Sequence, residues 1–410
     1  MTRPNDRWIE IEGGVTTPLN YKAAALAAGI KPGSQKKDLA ILFSESPALG
    51  AALFTRNRVA AAPVLISRRL LLERRGRVRA LIVNSGNANA CTGKRGRQDA
   101  ERMARMAAGA LKIPEGSALV ASTGVIGLAL PMDRITRGIP NVVERLSNHG
   151  GPDFSEAILT TDTRKKNCVV RSRLGGRAVT IAGTAKGAGM IQPRLATMLA
   201  FLTTDASLSL SLLKEALRLA AEVSFNRVTV DGDTSTNDSL FLLANGASGA
   251  PTISRKGRSF NHFLQGLLHV CTSLARKIAR DGEGASKFIS VNVNGGRTSL
   301  ECERVARSIA NSSLVKTAMA GADANWGRII CAAGYSGVPL NPERVDISLN
   351  GLQVCRRGQP TRFDEVRAKE LLQNPDILID VRLGQGRHSA TVWTCDLTED
   401  YIRINALYRT

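Results

Sequence analysis

Residues 189–201 read Gly-Met-Ile-Gln-Pro-Arg-Leu-Ala-Thr-Met-Leu-Ala-Phe and form the most informative stretch of this 410-residue chain. Lys186 comes shortly before the stretch, and Thr197 lies inside its apolar part. Taken alone, a threonine ahead of a hydrophobic run is typical of a helix N-cap, because its hydroxyl oxygen can accept a backbone N–H. The local pattern therefore favours a structural role for Thr197, and evidence for a chemical role has to come from the rest of the chain.

Outward from this stretch, β-rich runs interleave with amphipathic helical runs. Val345, Ile347 and Leu349 alternate with polar residues, as in a half-buried strand, and Asn350-Gly351 after them predicts a tight hairpin turn. Predicted strands cover residues 39–43, 80–83, 178–181, 288–293, 345–349, 377–383 and 391–394, with residues 384–386 linking the last two. Predicted helices cover residues 98–111, 212–223 and 262–280.

The order of these elements indicates the fold class. Strands and helices follow one another without a regular βαβ period, and residues 341–410 read mostly as strand. This arrangement favours an α+β fold with layered antiparallel or mixed sheets over a doubly wound parallel fold. A chain of 410 residues is long enough for two or three domains, but no linker marks a boundary.

The charge of the chain is unusual, with a formal net charge of +21 at pH 7. The densest basic stretch, residues 68–79, contains no aromatic side chain, and aromatic residues make up only 4% of the chain. A base-stacking platform is therefore poorly supported, and we expect no nucleic-acid partner. A positive field would still attract small anionic substrates.

Cysteine usage and hydropathy restrict the compartment and the kind of site. The seven cysteines are scattered and form no Cys-x-x-Cys pair, which argues against a zinc site and against a disulfide framework. No apolar run approaches the roughly 18 residues of a membrane span, and the polar N-terminus has no signal-peptide pattern. We expect a soluble cytoplasmic protein with reduced thiols, no metal and no membrane partner.

Several familiar catalytic patterns are missing. The four histidines are in neither a metal-ligand spacing nor a nucleophile-elbow context. The run 231–238 resembles a calcium loop but has Thr236 at the sixth position and Leu242 at the twelfth, where glycine and glutamate are required. What remains is a set of loops rich in Asn, Thr, Asp and Gly, which suits the binding of a small polar ligand. These loops are residues 84–89, 122–127, 160–163, 183–190, 231–238, 281–287 and 321–327.

Eight ordered motifs then give a family resemblance over residues 13–410. They are NSGNANACTG at 84–93, STGVIG at 122–127, TTDT at 160–163, KGAGMIQPRLATMLAFLTTDA at 186–206, SFNRVTVDGDTSTNDS at 224–239, DGEGASK at 281–287, VKTAMAGADANWGR at 315–328 and YIRINALYRT at 401–410. In these motifs the chain resembles the ornithine acetyltransferase family of arginine biosynthesis, the bifunctional glutamate N-acetyltransferases. That family resembles, in architecture, the self-cleaving N-terminal-nucleophile-like amidohydrolases, with sheets layered between helices.

The resemblance implies that Thr197 is both the cleavage point and the nucleophile. The scissile bond is then Ala196–Thr197, which divides the precursor into an α fragment, residues 1–196, and a β fragment, residues 197–410. A threonine hydroxyl needs a nearby base, and cleavage creates an α-amine on the same residue. An α-amine has a reference pKa of about 8, which suits a base near neutral pH.

The resemblance also implies the other site residues and the reaction. Thr123 and Gly124 correspond to the oxyanion hole, while substrate contacts fall on Thr160, Lys186, Thr197, Glu283, Asn405 and Thr410. Lys186 suits an α-carboxylate and Glu283 an ammonium group. The implied reaction moves an acetyl group from N2-acetylornithine to glutamate through an acetyl-enzyme, with no metal or organic cofactor.

Three further features follow from the resemblance. The fragments are expected to assemble as an α2β2 heterotetramer. Some family members also accept acetyl-CoA as the acetyl donor, and the residues leave that alternative open here. Because water could resolve the same acyl-enzyme, a threonine-nucleophile aminopeptidase or amidohydrolase is the competing hypothesis.

Overall fold

A computed structural model describes residues 7–31, 33–192 and 198–407 of the chain. The strands are β1 Ile9–Ile11, β2 Tyr21–Leu26, β3 Leu39–Ser44, β4 Leu49–Phe54, β5 Ala80–Asn87, β6 Ala118–Val125, β7 Lys166–Leu174, β8 Arg177–Lys186, β9 Leu199–Thr204, β10 Ser239–Ala244, β11 Phe288–Gly296, β12 Asp346–Leu349, β13 Leu352–Arg356, β14 Gln359–Pro360, β15 Asp376–Arg382 and β16 His388–Cys395. The helices are α1 Ala62–Glu73, α2 Gly93–Ala110, α3 Met132–Glu144, α4 Gly151–Ala157, α5 Leu210–Glu222, α6 Arg258–Arg280, α7 Ser299–Asn311, α8 Ser313–Ala320, α9 Trp326–Gly334, α10 Glu365–Leu372 and α11 Glu399–Leu407.

The described strands form three sheets. Their orders are β1-β7-β8-β9-β10-β4, β14-β13-β12-β15-β11-β16 and β2-β3-β5-β6. Parallel pairs, namely β5 with β6, β9 with β10 and β11 with β15, occur among antiparallel neighbours. The predicted α+β class with layered, mixed sheets is therefore confirmed.

Strand β9 lies inside its sheet and carries the apolar run that follows Thr197. Leu199 and Phe201 belong to the core shared with the β2-β3-β5-β6 sheet, whereas Ala200 and Leu202 belong to the core shared with α5 and α6. All six residues of β9 are buried. The helix N-cap interpretation is therefore wrong for this run, because a strand buried on both faces reads as a continuous hydrophobic stretch.

Phe201 is the β9 side chain that packs against two other aromatic rings. It is fully buried, stacks on Phe241 at 5.6 Å between ring centroids and meets Phe154 edge-on at 5.1 Å. We expect Phe201→Ala to lower the free energy of unfolding by about 3–5 kcal/mol, as truncation of a buried aromatic leaves a cavity. Urea denaturation checks this, with the 68%-exposed Leu72→Ala as a control expected to change stability by less than about 0.5 kcal/mol.

The strands and helices predicted from hydrophobic periodicity are present in the structure. The tight turn predicted at Asn350-Gly351 is present as well. The seven predicted strands correspond to β3, β5, β8, β11, β12, β15 and β16, and the three predicted helices to α2, α5 and α6. Asn350 and Gly351 have φ values of 47° and 85°, as a tight turn between twisted strands requires, and join β12 to β13.

For the C-terminal region, one expectation is confirmed and another is wrong. Residues 384–386 lead from β15 to β16 as expected, and β11 lies between these two strands in the sheet. Residues 341–410 are not mostly strand, since α10 and α11 also form there. Among the described residues, no helix combines the length and the apolar composition that a membrane span demands.

Candidate active site

A cavity of about 260 Å³ opens where the ends of β6, β8, β9 and β10 meet the loop after α6 and helix α11. Six predicted site residues line it together, namely Thr123, Gly124, Thr160, Lys186, Glu283 and Asn405. Ala196, Thr197 and Thr410 lie outside the described residues. Met198, the residue after Thr197 in the sequence, lines the same cavity.

Gly124 closes one wall at the end of β6, and no larger residue fits there. Its φ is 132°, and a Cβ atom would lie 2.3 Å from the carbonyl carbon of Gly86 on the paired strand β5. The amide of Asn237 donates to the backbone oxygens of Ser122, at 2.9 Å, and Ala88, at 2.6 Å. These contacts fix the backbone of residues 123–124 against the cavity, as a preorganised donor site requires.

Lys186 ends β8 and points its ammonium group across the cavity wall to Thr160. Its Nζ donates to Thr160 Oγ1 at 3.1 Å. Burial lowers the pKa of Lys186, while the nearby carboxylates of Asp162, Asp238 and Glu283 act in the opposite direction. Lys186 can therefore hold a carboxylate ligand as a single cation close to Thr160.

Asp162, in the TTDT motif, holds the backbone at Thr160 and next to Lys186. Its Oδ1 accepts the Gly187 N–H at 2.6 Å, and its Oδ2 accepts the Thr160 N–H at 3.2 Å. Burial acts to raise the pKa of Asp162, but the ammonium groups of Lys166 and Lys186 hold it below its usual value. The carboxylate is thus ionised and fixes the backbone on both sides of the cavity corner.

Lys166 connects this carboxylate to a second buried one. Its Nζ lies 2.6 Å from Asp162 Oδ1 and 2.5 Å from Asp281 Oδ2, with 1% of the lysine side chain exposed. We expect Lys166→Met to destabilise the protein by about 3–5 kcal/mol, because both carboxylates lose a buried partner. Denaturant unfolding measures the loss, and Lys165→Met, at a neighbouring half-exposed lysine, is the matched control. Unchanged stability in the Lys166 variant would contradict this role.

Glu283 reaches the cavity from the loop after α6 and is held by α11. Its backbone N–H donates to the Ala188 carbonyl at 2.9 Å, and its Oε2 accepts from Asn405 Nδ2, also at 2.9 Å. Gly189 makes room for it, because a Cβ there would lie 2.2 Å from Glu283 Oε2. The residue pair Glu283 and Asn405 therefore offers one carboxylate and one amide to a ligand.

The run 231–238 supplies further cavity residues, to which neither its polar composition nor the motif at 224–239 assigned individual roles. Asp231 accepts the backbone N–H groups of Met190 at 2.6 Å and Ile191 at 2.8 Å. Burial raises the pKa of Asp231. Tyr401 of α11 donates to Asp231 Oδ2 at 3.4 Å, and its pKa is raised by burial and by that carboxylate. These roles depend on contacts between distant segments, and the motif TVDGDTSTND is the signal that could have indicated them.

The charge in the cavity is opposite to that of the chain. Among its described lining residues, Asp231, Asp233, Asp238 and Glu283 are acidic, and Lys186 is the one basic side chain. The whole chain has a formal net charge of +21. An acidic wall with a single ammonium suits a ligand that carries an amine and one carboxylate.

Cysteine and histidine side chains contribute nothing to this cavity's described lining. All seven cysteines are free thiols. Within the described parts of the chain, one group has side chains of the metal-ligand type close together, namely Glu10, Cys168 and His269. Two of its members are exposed and bond to each other, His269 Nε2 with Glu10 Oε2 at 3.0 Å, so an ion pair accounts for their proximity.

Comparisons with known proteins agree with the motif resemblance. A family model described as the ArgJ family matches residues 22–410. The arginine biosynthesis bifunctional protein ArgJ of Symbiobacterium thermophilum is 49% identical over 401 residues, covering 98% of this chain and 99% of the relative. The protein of the same name from Bacillus licheniformis is 46% identical over 399 residues, covering 97% of each.

A solved relative has a similar backbone over about half of the chain. The crystal structure of arginine biosynthesis bifunctional protein ArgJ from Bacillus halodurans is 45% identical with a TM-score of 0.50, and the match covers 51% of this chain and 98% of that chain. The resemblance inferred from the eight motifs is thereby confirmed. Matched over nearly its whole length, the chain belongs to the ArgJ family.

Proposed function

We propose that this protein transfers the acetyl group of N2-acetylornithine to glutamate through an acetyl-enzyme on Thr197, which yields ornithine and N-acetylglutamate for arginine biosynthesis. The observation that carries the proposal is the cavity beside the start of β9, where six residues from five separate motifs meet. The printed name of the relatives, an arginine biosynthesis bifunctional protein, supports the same pathway.

The chemistry proceeds in two acyl transfers. The Thr197 hydroxyl attacks the acetyl carbonyl, its proton passes to the Thr197 α-amine, and the negative charge on oxygen is stabilised by the Thr123–Gly124 wall. The C–N bond breaks, the proton goes to the departing amine, and ornithine leaves. The glutamate amine then attacks the acetyl ester, loses a proton to the same α-amine, and restores the Thr197 hydroxyl.

The charges of the cavity support this choice of substrates. Lys186, held against Thr160, is proposed to bind the α-carboxylate shared by acetylornithine and glutamate. Glu283, held by Asn405, is proposed to bind an ammonium group of the substrate. The acidic lining favours ornithine's side-chain ammonium over a second carboxylate, so we expect glutamate to bind more weakly than acetylornithine.

Cleavage between Ala196 and Thr197 belongs to the same proposal. It would give fragments 1–196 and 197–410, each about half of the chain. The solved Bacillus halodurans chain, 98% of which matches 51% of this chain, has about the length of one such fragment, which supports a break in this region. We propose that the fragments assemble as an α2β2 heterotetramer in the cytoplasm.

No metal ion or organic cofactor takes part in the proposed cycle, because threonine, α-amine and backbone donors supply every step. Acetyl-CoA is proposed as a second acetyl donor, by which the enzyme would also make N-acetylglutamate directly. The word bifunctional in the relatives' names supports this second activity. Transfer rates measured after dialysis against a chelator test whether a metal ion takes part. Transfer rates measured with acetyl-CoA in place of acetylornithine test the second acetyl donor.

Acetyl transfer measured with and without glutamate tests the proposed function. We expect ornithine release to continue beyond one equivalent per site only when glutamate is present, with N-acetylglutamate formed in equal amount. Rapid deacetylation that ignores glutamate would instead identify the hydrolase alternative. No turnover of acetylornithine under either condition would contradict both.

A further inference from the structure

We propose that Asp238 is the proton acceptor for the Thr197 hydroxyl in the uncleaved chain, and thus the residue that starts the backbone break. The inference rests on the proposed function, in which Thr197 becomes an N-terminus. It addresses a step that the mature site cannot perform, because the α-amine that serves as base exists only after cleavage. Before that event, another group has to take the hydroxyl proton.

Strand pairing sets the position of Asp238. Ser239, the next residue, pairs with Leu199 in the parallel β9–β10 ladder, and its N–H donates to the Met198 carbonyl at 2.9 Å. In the same register Asp238 lies beside Met198, which directly follows Thr197 in the sequence. The backbone of Asp238 is fixed from the other side, since its carbonyl accepts the Thr55 N–H at 2.9 Å.

The side chain of Asp238 is buried and incompletely bonded. It is 2% exposed, it lines the cavity, and its Oδ2 has no hydrogen-bond partner among the described residues. A carboxylate oxygen left in this state costs folding free energy, because burial removes the water that would solvate it. A buried carboxylate that is kept at a cavity wall despite this loss of folding free energy indicates a catalytic role.

Neighbouring groups are engaged in other ways. Asp231 uses both oxygens to hold the backbone of Met190 and Ile191, and Glu283 Oε2 accepts from Asn405. Lys186 donates to Thr160, and the carboxylates around it favour its ammonium form, which has no lone pair to accept a proton. The described lining contains no imidazole, and its remaining carboxylate, Asp233, is exposed.

The electrostatics of Asp238 suit a base. Burial raises the pKa of its carboxyl well above the usual value, against the opposing effects of the Ser235 hydrogen bond and the Lys186 charge. The other charges that surround it across the cavity are those of Asp231, Asp233 and Glu283. A carboxylate with a raised pKa holds an acquired proton more firmly near neutral pH, which is what general-base catalysis requires.

The proton balance of the step closes without a co-reactant other than water. Thr197 Oγ1 attacks the Ala196 carbonyl carbon while its proton passes to Asp238 Oδ2. The C–N bond then breaks, and the nitrogen takes the proton back from Asp238, which leaves an ester and a free α-amine. Water hydrolyses the ester to the Ala196 carboxyl and the Thr197 hydroxyl, and Asp238 ends as it began.

The test compares the full-length Asp238→Asn chain with wild type and with Thr197→Ala. Asparagine keeps the shape but cannot accept the proton, so we expect cleavage at least about 100-fold slower than in wild type, followed by intact mass over time. The Tm of this uncleaved chain should equal or exceed that of the uncleaved Thr197→Ala chain at pH 7–8. The reason is that a group with a raised folded-state pKa destabilises the fold increasingly as pH rises above its unfolded value, and the substitution removes that charge.

A second variant separates a chemical role from a structural one. In Asp238→Ala, added formate can occupy the vacated space and accept the proton, so we expect saturable restoration of cleavage by formate and none by chloride at equal ionic strength. Cleavage of Asp238→Asn at the wild-type rate would overturn the proposal. A lowered Tm in that variant together with no formate rescue in the alanine variant would also overturn it. An uncleaved wild type would instead contradict the proposed function.

Discussion

Thr197→Ala should remain a single chain with no measurable acetyl transfer, whereas wild type should give two fragments of about half the length. The substitution removes the hydroxyl that we propose breaks the backbone and carries the acetyl group. Loss of a covalent nucleophile leaves only binding and oxyanion stabilisation, so kcat/KM should fall by about 10⁴-fold or more. A denaturing gel and the acetyl-transfer assay measure the two effects on one preparation.

Thr197→Ser is the matched control for this variant. Serine keeps the hydroxyl and, after cleavage, the α-amine, so we expect fragments and transfer activity within about two orders of magnitude of wild type. Retained transfer by Thr197→Ala would show that another side chain accepts the acetyl group. Fragments in the alanine variant would show that a protease, and not Thr197, cuts the chain.

Gly124→Ala should cause the second large loss, mainly in kcat. A Cβ atom at this position would meet the Gly86 carbonyl carbon at 2.3 Å, and the φ of 132° disfavours any side chain. The backbone must shift at the cavity wall that we propose stabilises the negative charge on the acetyl oxygen. Misplacing one such donor costs about 100- to 1,000-fold in kcat, so a loss of this size with a smaller change in KM is expected.

Gly127→Ala distinguishes a catalytic effect from general strain in the same loop. Gly127 also has a positive φ, of 83°, but its added Cβ would meet no heavy atom within 4 Å. We expect this control to lose about 1 kcal/mol of stability and to keep its kcat. Equal kcat losses in both variants, or a normal kcat in Gly124→Ala, would contradict the role of residue 124. Thermal unfolding of each variant shows whether the fold survives.

The elements that were predictable from sequence are those whose pattern is local. Alternation at residues 345–349 and three- and four-residue spacing in residues 262–280 indicated β12 and α6, because one face of each is buried. The run after Thr197 was ambiguous alone, because β9 is buried on both faces and shows no alternation. Helix α11 was missed, since no residue of it is buried and its sequence has no strong apolar face.

The residues of the candidate site likewise divide into those that local motifs predicted and those that only the structure revealed. Thr123, Thr160 and Lys186 were identified because they lie in recognisable motifs. The supporting contacts were not, since Lys166 meets Asp281 across 115 positions of sequence. Likewise, Asp238 gains significance only from the β9–β10 register that sets it beside Met198. Contacts of this range are set by tertiary structure, and no local pattern encodes them.

The acidic cavity in a basic chain has a consequence for kinetics. The field of the whole molecule attracts anionic glutamate, while the local carboxylates favour the side-chain ammonium of acetylornithine. We therefore expect added salt to raise the KM for glutamate more than the KM for acetylornithine, because screening weakens long-range attraction first.

Intact mass spectrometry of purified wild-type protein, with N-terminal sequencing of each fragment, tests the central claim most directly. We predict two polypeptides whose masses sum to that of the whole chain plus one water, the second beginning at Thr197. An active preparation that consists of one unbroken chain, with residue 197 still joined to Ala196, would contradict the account.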